Sequence, residues 1–330
     1  MKAGLVGCGR IGCEFDEDAD RVGIYTHAAA YRAAEGVALW AIADADPAKL
    51  ANCGERYGIP PERRYTDAAQ MLAKEPLDLL SIAAPDRLHA PLAKLAATAP
   101  RLRGLLLEKP LALDLDEGRA VLNQLQARGL AVVVNYSRRF CPAHAKLKTA
   151  LAEGRLGRIQ QVSGYYGKGV KHNGGHWLDL LRYLLGPLVS VQAWPSQASD
   201  YEGDPTPDLR ITLAGGVTAS LLGTDHLHYS LFEMDIVAEQ GRVRITESGH
   251  CIAWYAAAES PYYAGYRLPV LTDTDTSGMR DLLLGAVENL RDTVLERTAS
   301  RCDAEDGLLA LCAADAACRS MLSGKPEPVV

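Results

Sequence analysis

The chain has 330 residues, 48% of them hydrophobic and 23% charged, with 41 acidic against 35 basic side chains and a formal charge of −6. That balance excludes an intrinsically disordered chain, which needs fewer apolar residues and more net charge, and gives no general affinity for nucleic acid or anionic lipid. No stretch approaches the ~20 apolar residues of a membrane span, and the length exceeds one small core, so two domains are expected.

The opening run Met1-Lys2-Ala3-Gly4-Leu5-Val6-Gly7 is shorter than a signal-peptide core, and no cleavage pattern follows it. Residues 3–6 read as a short buried strand. Further strands are expected at Val37–Ala43, Leu77–Ala84, Leu102–Leu107 and Leu130–Val134. Such near-continuous apolar runs belong to strands buried on both faces of a parallel sheet. Helical patterns separate them at His27–Ala34, Pro47–Tyr57, Thr66–Ala73, Ala90–Ala97 and Leu115–Arg128. This alternation predicts a doubly wound α/β domain over 1–136.

The pattern changes in 137–330, which reads as a second α/β domain. A helix is expected at Cys141–Glu153, an alternating strand at Ile159–Tyr166 and an amphipathic helix at Trp177–Leu185, stopped by Gly186-Pro187. Strands follow at Ser190–Trp194, Leu209–Leu213, Val217–Thr224, Phe232–Ala238, Gly241–Thr246 and Cys251–Tyr255. Short turns between several of them predict an open, mainly antiparallel sheet with one face to cover. Helices return at Met279–Arg297 and Ala304–Ser323. The eight cysteines, at 8, 13, 53, 141, 251, 302, 312 and 318, form no Cys-x-x-Cys pair or metal-ligand spacing. They read as idle, buried thiols of a cytoplasmic protein, with no metal site.

Gly7-Cys8-Gly9-Arg10-Ile11-Gly12 is a G-x-G-x-x-G that follows a strand and opens a helix. The first glycine permits a tight turn, the second lets backbone approach a pyrophosphate, and the third lets helix pack on strand. The motif makes the first domain a Rossmann domain for a dinucleotide, with Gly7, Gly9, Arg10, Ile11 and Gly12 at the phosphates. Asp44 ends the second strand, where a carboxylate accepts from ribose hydroxyls and repels a 2′-phosphate. Ala45, Asp46 and Pro47 after it offer no cation, so NAD is favoured over NADP. Asp44 lies 32 residues after Gly12, against ~20 in the simple fingerprint. The excess falls in residues 13–26, whose acidic run Asp16-Glu17-Asp18-Ala19-Asp20 reads as a solvated loop or, alternatively, a lid.

Glu108-Lys109-Pro110 ends the fourth expected strand, and open α/β sheets bind ligands at the carboxyl ends of their strands. Hydride transfer from an alcohol carbon requires the hydroxyl proton to leave as well. A lysine desolvated beside a cationic nicotinamide gives up its proton more readily, so Lys109 suits that role. Glu108 either orients Lys109 or contacts the cofactor, and Pro110 fixes the turn, with a cis peptide an option.

Together, Gly7–Gly12, Asp44, Ile82-Ala83-Ala84-Pro85 with His89, Glu108-Lys109-Pro110, His176-Trp177-Leu178-Asp179 and the Asp306-Gly307-Leu308 helix resemble the glucose–fructose oxidoreductase/inositol dehydrogenase (Gfo/Idh/MocA) family over nearly the whole chain. The resemblance implies an NAD(P)-dependent sugar dehydrogenase or reductase acting on CH–OH groups. It implies a homodimer or homotetramer through the C-terminal sheet and a last helix that returns to the Rossmann side. It also implies that Ala84-Pro85 passes the nicotinamide ribose and that His176 is a catalytic acid/base, with Asp179 on the same helical face. His89 opens a helix, where it caps, contacts the cofactor or packs. Many members carry Asp four residues before the catalytic histidine, where this chain has His172. His172 therefore binds substrate, shares the proton relay or is structural. The run from Tyr165 through Lys168, His172 and Asn173 looks like members acting on nucleotide-linked or amino sugars. Tyr136 and Arg139 either line the substrate cleft or serve packing and ion pairing. The alternatives are NAD-dependent glycoside cleavage by transient oxidation and elimination, and a non-catalytic dinucleotide sensor.

Overall fold

The computed structural model describes residues 1–18, 23–276 and 279–330. The chain forms two units, Met1–Phe140 with Arg280–Leu311, and Cys141–Met279 with Cys312–Val330. The first unit thus takes in residues 280–311, beyond the 1–136 that the strand–helix alternation marks out.

In the first unit, among the described residues, six parallel strands form one sheet in the order β3-β2-β1-β4-β5-β6. They are β1 (Lys2–Val6), β2 (Ala38–Ala43), β3 (Arg64–Tyr65), β4 (Leu79–Ile82), β5 (Gly104–Leu107) and β6 (Ala131–Val134). β4 and β5 are buried at every position, as their apolar runs demand. Periodicity gives no sign of β3, because two residues carry no pattern. It pairs Arg64 with Ile42 and Tyr65 with Ala43. The helices are α1 (His27–Ala33), α2 (Pro47–Tyr57), α3 (Ala68–Lys74), α4 (His89–Thr98) and α5 (Leu115–Arg128). Thr26, Asp46, Asp67 and Asp114 start four of them by accepting a hydrogen bond from a first-turn backbone N–H. Because all six strands run the same way, the residues that follow β1, β2, β4, β5 and β6 share one edge of the sheet.

The second unit holds α6 (Pro142–Ala152), β7 (Ile159–Tyr166), α7 (Gly174–Leu185), β8 (Leu188–Trp194), β9 (Asp208–Leu213), β10 (Thr218–Gly223), β11 (Phe232–Ala238), β12 (Gly241–Thr246), β13 (Cys251–Glu259), β14 (Arg267–Asp275) and β15 (Glu327–Pro328). Its described strands make a nine-stranded sheet in the order β14-β13-β12-β11-β7-β10-β9-β8-β15. Pairing is antiparallel throughout except between β7 and β10, which run parallel. β11 and β12 alternate buried and half-buried residues, the mark of one covered face. α7 begins three residues before the Trp177 start that its apolar face predicts, at Gly174. β14 carries Pro269, Asp273 and Asp275 and is exposed along nearly its whole length, so no alternation announces it. β15 is as short as β3 and equally silent.

Two further helices follow in the sequence, α8 (Leu282–Val294) and α9 (Ala304–Ser323). The early part of α9 belongs with the first unit. Gly307 lies against Val134, and the position of a Cβ on Gly118 of α5 is closed off by Leu308 and Leu311. Among the described residues, no helix is long and apolar enough to cross a membrane.

Trp177 anchors α7 inside the second unit. It is fully buried, and its Nε1 donates to the Glu233 carbonyl on β11 at 2.8 Å. Trp177→Ala should lower unfolding free energy by about 3–5 kcal/mol, from lost packing and an orphaned carbonyl. Urea denaturation measures this, and a loss under ~1 kcal/mol would show that α7 is held elsewhere.

Candidate active site

The glycine turn leaves β1 at Gly7, whose φ of 96° only glycine adopts readily. A Cβ on Gly12 would stand 2.0 Å from the Gly7 carbonyl oxygen, so the turn closes only with glycine there. Gly9 differs, since its Cβ position meets only the Lys49 ammonium, at 3.7 Å. Backbone at Gly9 is therefore open to an approaching group, as a pyrophosphate cradle requires.

The excess length after Gly12 has a simple geometry. The chain leaves at Cys13 and re-enters at His27, whose N–H donates to the Ile11 carbonyl at 3.1 Å, while Ala28 N–H donates to Gly12 at 3.0 Å. α1 thus resumes where an uninterrupted fingerprint helix would have continued. Residues 13–18 are only in part the solvated loop that their charge suggests, since Glu17 and Asp18 are exposed while Cys13 is buried. Asp16 accepts from the Thr26 hydroxyl and the Tyr57 phenol. Glu17 accepts from Asn52 at 2.8 Å and from Arg56 at 2.9 Å, both on α2. Phe15 lies under the Arg10 guanidinium at 4.9 Å. Acidic residues read as solvent-seeking here find donors on a neighbouring helix. Ala19 and Asp20 of the acidic run lie outside the described residues.

Cys8, Cys13 and Cys53 share one apolar cluster with Leu5, Ile42 and Leu50. The Cys53 thiol and burial push the Cys13 thiol far up, away from reactive thiolate.

Asp44 stands beside the glycine turn, at the carboxyl end of β2. Its Oδ2 accepts from Cys8 N–H at 2.7 Å and its Oδ1 from Asp46 N–H at 2.9 Å. Lys49, in the first turn of α2, is a cation that inspection of residues 45–47 alone misses. The signal available was Pro47, which starts a helix and folds its first turn back over the glycines.

At the end of β5, Glu108 accepts on Oε1 from His27 Nε2 at 3.0 Å and from Asn135 Nδ2 at 2.6 Å. Burial alone would raise this carboxyl. The bonds from His27 and Asn135, with the charge of Lys109, more than reverse that and hold it below the usual carboxylate range. The Lys109–Pro110 peptide is cis. His89, buried at the start of α4, pairs Nδ1 with the Pro110 carbonyl at 2.7 Å and Nε2 with the Ala84 carbonyl at 2.9 Å. Both ring nitrogens are thereby occupied by main chain, so His89 ties Ala84-Pro85 to the Lys109-Pro110 turn. Tyr136 is buried. Arg139 Nη1 donates to Asp306 Oδ2 at 2.9 Å and to the Arg301 carbonyl at 2.8 Å, the ion-pairing role of its two alternatives. His27 and Asn135 bond to Glu108 and Lys49 stands beside Gly9, and no motif marked any of the three.

The second unit carries the other predicted residues on one turn and one helix. Lys168, at φ 62°, leads into a π-helical turn at Gly169–Asn173 that runs directly into α7. His172 and Asn173 lie on that turn, and His176 and Asp179 on α7, where Asp179 is buried and His176 half-buried. Asp204 holds the turn, accepting from Lys171 and His172 N–H, each at 2.9 Å on Oδ2. Burial pushes the Asp204 carboxyl above its usual range. The His172 ring lies 4.9 Å from Tyr201, which lies 5.4 Å from His226. His226 Nδ1 is buried and has no hydrogen-bond partner among the described residues. Tyr201 and His226 belong to no motif, and only the fold brings them to His172.

An open-sheet edge with a phosphate turn, a ribose-type acid and a Glu-Lys-Pro turn defines a Rossmann oxidoreductase. Residues 1–136 match the model of the Gfo/Idh/MocA oxidoreductase family, NAD-binding Rossmann fold. D-apiose dehydrogenase of Paraburkholderia graminis is 30% identical over 237 residues, 66% of this chain and 59% of that protein, so the match spans less than two thirds of its length. Inositol 2-dehydrogenase of Rhizobium meliloti is 26% identical over 345 residues, 97% of each chain. The WlbA dehydrogenase of Bordetella pertussis, solved with NADH and UDP-GlcNAcA, superimposes with a TM-score of 0.79 at 23% identity, covering 99% of this chain and 97% of that one. That last likeness speaks for the fold alone. The chain belongs to the Gfo/Idh/MocA oxidoreductase family.

The residues fit a dinucleotide. Gly7, Gly9 and Gly12 would hold its pyrophosphate, Asp44 its adenosine ribose, and the Ala84-Pro85 and Glu108-Lys109 turns its nicotinamide end. Gly12→Ala should weaken NADH binding by at least about tenfold, because the methyl forces the turn open. Titration of NADH fluorescence reads this, and an unchanged Kd would remove the turn from the cofactor site.

Proposed function

We propose that the chain is an NAD-dependent oxidoreductase that oxidises a ring hydroxyl of a sugar, or reduces the corresponding ketone. The observation that carries this is the shared sheet edge, where the glycine turn, Asp44, Ala84-Pro85 and Glu108-Lys109 follow β1, β2, β4 and β5. The dehydrogenases of apiose and inositol among its relatives support a polyhydroxylated substrate. When bound, the nicotinamide accepts or donates the hydride at C4. Lys109 hydrogen-bonds the reacting hydroxyl and exchanges its proton, and Glu108 stays ionised beside it. His176, with Asp179 on the same helix, is the second proton-handling group. His172 takes part in substrate binding, braced by Tyr201. Lys168, just before the π-helical turn, and Lys171, within it, favour a sugar that carries phosphate, such as a nucleotide-linked one.

NAD is preferred to NADP because the Asp44 carboxylate repels a 2′-phosphate. Lys49 pairs with the pyrophosphate. Asp44→Ala should raise affinity for NADP relative to NAD by about tenfold or more. Lys49→Met should weaken NAD and NADP binding alike. Calorimetric titration separates the cases, and an Asp44→Ala protein with wild-type preference would overturn the assignment. Lys109→Ala should lower kcat by at least ~100-fold while the NAD Kd stays within about threefold. Full turnover in that variant would sink the proposed mechanism.

A further inference from the structure

Glu108 ends a chain of hydrogen bonds that runs through the core of the first unit. Tyr31 Oη lies 2.7 Å from Ser81 Oγ, Ser81 Oγ 3.0 Å from His27 Nδ1, and His27 Nε2 3.0 Å from Glu108 Oε1. Tyr31, Ser81 and His27 are fully buried, and the Glu108 side chain is 12% exposed. Three elements contribute, α1 with Tyr31 and His27, β4 with Ser81, and the end of β5 with Glu108.

The chain has a direction. Burial pushes the Tyr31 phenol far up, so it keeps its proton. Its one hydrogen-bond partner among the described residues is Ser81, and in the arrangement that gives every proton an acceptor the phenol donates to it. Ser81 has a single proton, which then goes to His27 Nδ1. His27 therefore carries its proton on Nε2 and donates it to Glu108. The relay selects one tautomer, and that tautomer serves the carboxylate.

We propose that His27, oriented by Ser81 and Tyr31, is a positioning residue that fixes the Glu108 carboxylate beside Lys109 and so tunes the proton exchange of that lysine. The inference rests on the proposed role of Lys109. Its physical content is a buried carboxylate whose charge is sustained by donors from two neighbours, His27 on α1 and Asn135 at the end of β6. The titratable or charged groups that face Glu108 are His27 and Lys109. Loss of the His27 donor leaves Asn135 alone on Oε1 and makes the neutral carboxyl easier to form. A neutral Glu108 no longer favours the Lys109 ammonium, so both the charge and the geometry at the reacting hydroxyl change. The excursion over 13–26 leaves this device intact, because the chain re-enters its helix at His27 itself.

The test titrates the Glu108 carboxyl carbon by 13C NMR in the full chain without dinucleotide, alongside the pH dependence of kcat. His27→Leu should raise the Glu108 midpoint by about one pH unit and move the acid limb of kcat up with it. It should lower kcat near neutrality about tenfold, with KM for NAD within about threefold. His27→Gln, whose amide N–H can replace the donor, should recover at least half of each change. A folded His27→Leu protein with the wild-type Glu108 midpoint overturns the proposal, as does a Gln variant no better than Leu. If His27→Leu fails to fold, Ser81→Ala should move the midpoint in the same direction by less, and no movement there overturns the proposal too. The carboxyl titration reads Glu108 directly, so it stands apart from Lys109→Ala, whose activity tests the proposed function itself.

Discussion

A carboxylate at the end of a buried strand has to find donors, and the arrangement around Glu108 follows from that demand. An uncompensated buried charge costs several kcal/mol, and a hydrogen bond to a charged group returns about 1.5–3 kcal/mol. Glu108 takes one bond from α1 and one from the residue after β6. Those two bonds tie three elements together at the edge where the sheet opens. Lys109 follows Glu108 in the chain, so the same bonds limit where the lysine can stand. His89 completes the frame from the other side, bridging the Ala84 and Pro110 carbonyls.

The glycine turn is the second fixed point, and the sequence interruption after it is instructive. Fourteen residues, 13–26, separate the turn from the helix that normally continues it, yet His27 and Ala28 bond back to Ile11 and Gly12 as though nothing intervened. The helix dipole and the backbone approach at Gly9 therefore survive the insertion. The acidic residues of the insertion bond to α2, which brings Asp46 and Lys49 to the same turn. A stretch that its charges mark as solvated is in part a brace for the cofactor edge.

Much of this was legible in the residues. The apolar runs of β1, β2, β4, β5 and β6 follow from burial on both faces, and α2 and α5 follow from their caps and periodicity to the residue. β3, β14 and β15 were not legible, because two of them are too short for a pattern and β14 is exposed at nearly every position, so its apolar and polar residues follow no alternation. Among the candidate residues, motifs marked Gly7, Asp44 and Lys109 in the first unit and His176 in the second, since chemistry constrains those types at those spacings. His27, Ser81 and Tyr31 sit in helix and strand positions that read as ordinary core, and only the fold joins them to Glu108. Arg139 illustrates the reverse, a charged residue beside a motif whose partner, Asp306, lies far along the chain.

On the proposed function, the edge of the Rossmann sheet carries out hydride transfer with a sugar carbon. The most direct measurement supplies carbon-deuterated polyols, aldoses and nucleotide sugars with NAD and follows the label by mass spectrometry of the recovered nicotinamide. One deuterium at nicotinamide C4 per turnover is expected with at least one of these substrates, and none with Lys109→Ala. A protein that binds NAD tightly yet transfers no label from any of them would contradict it.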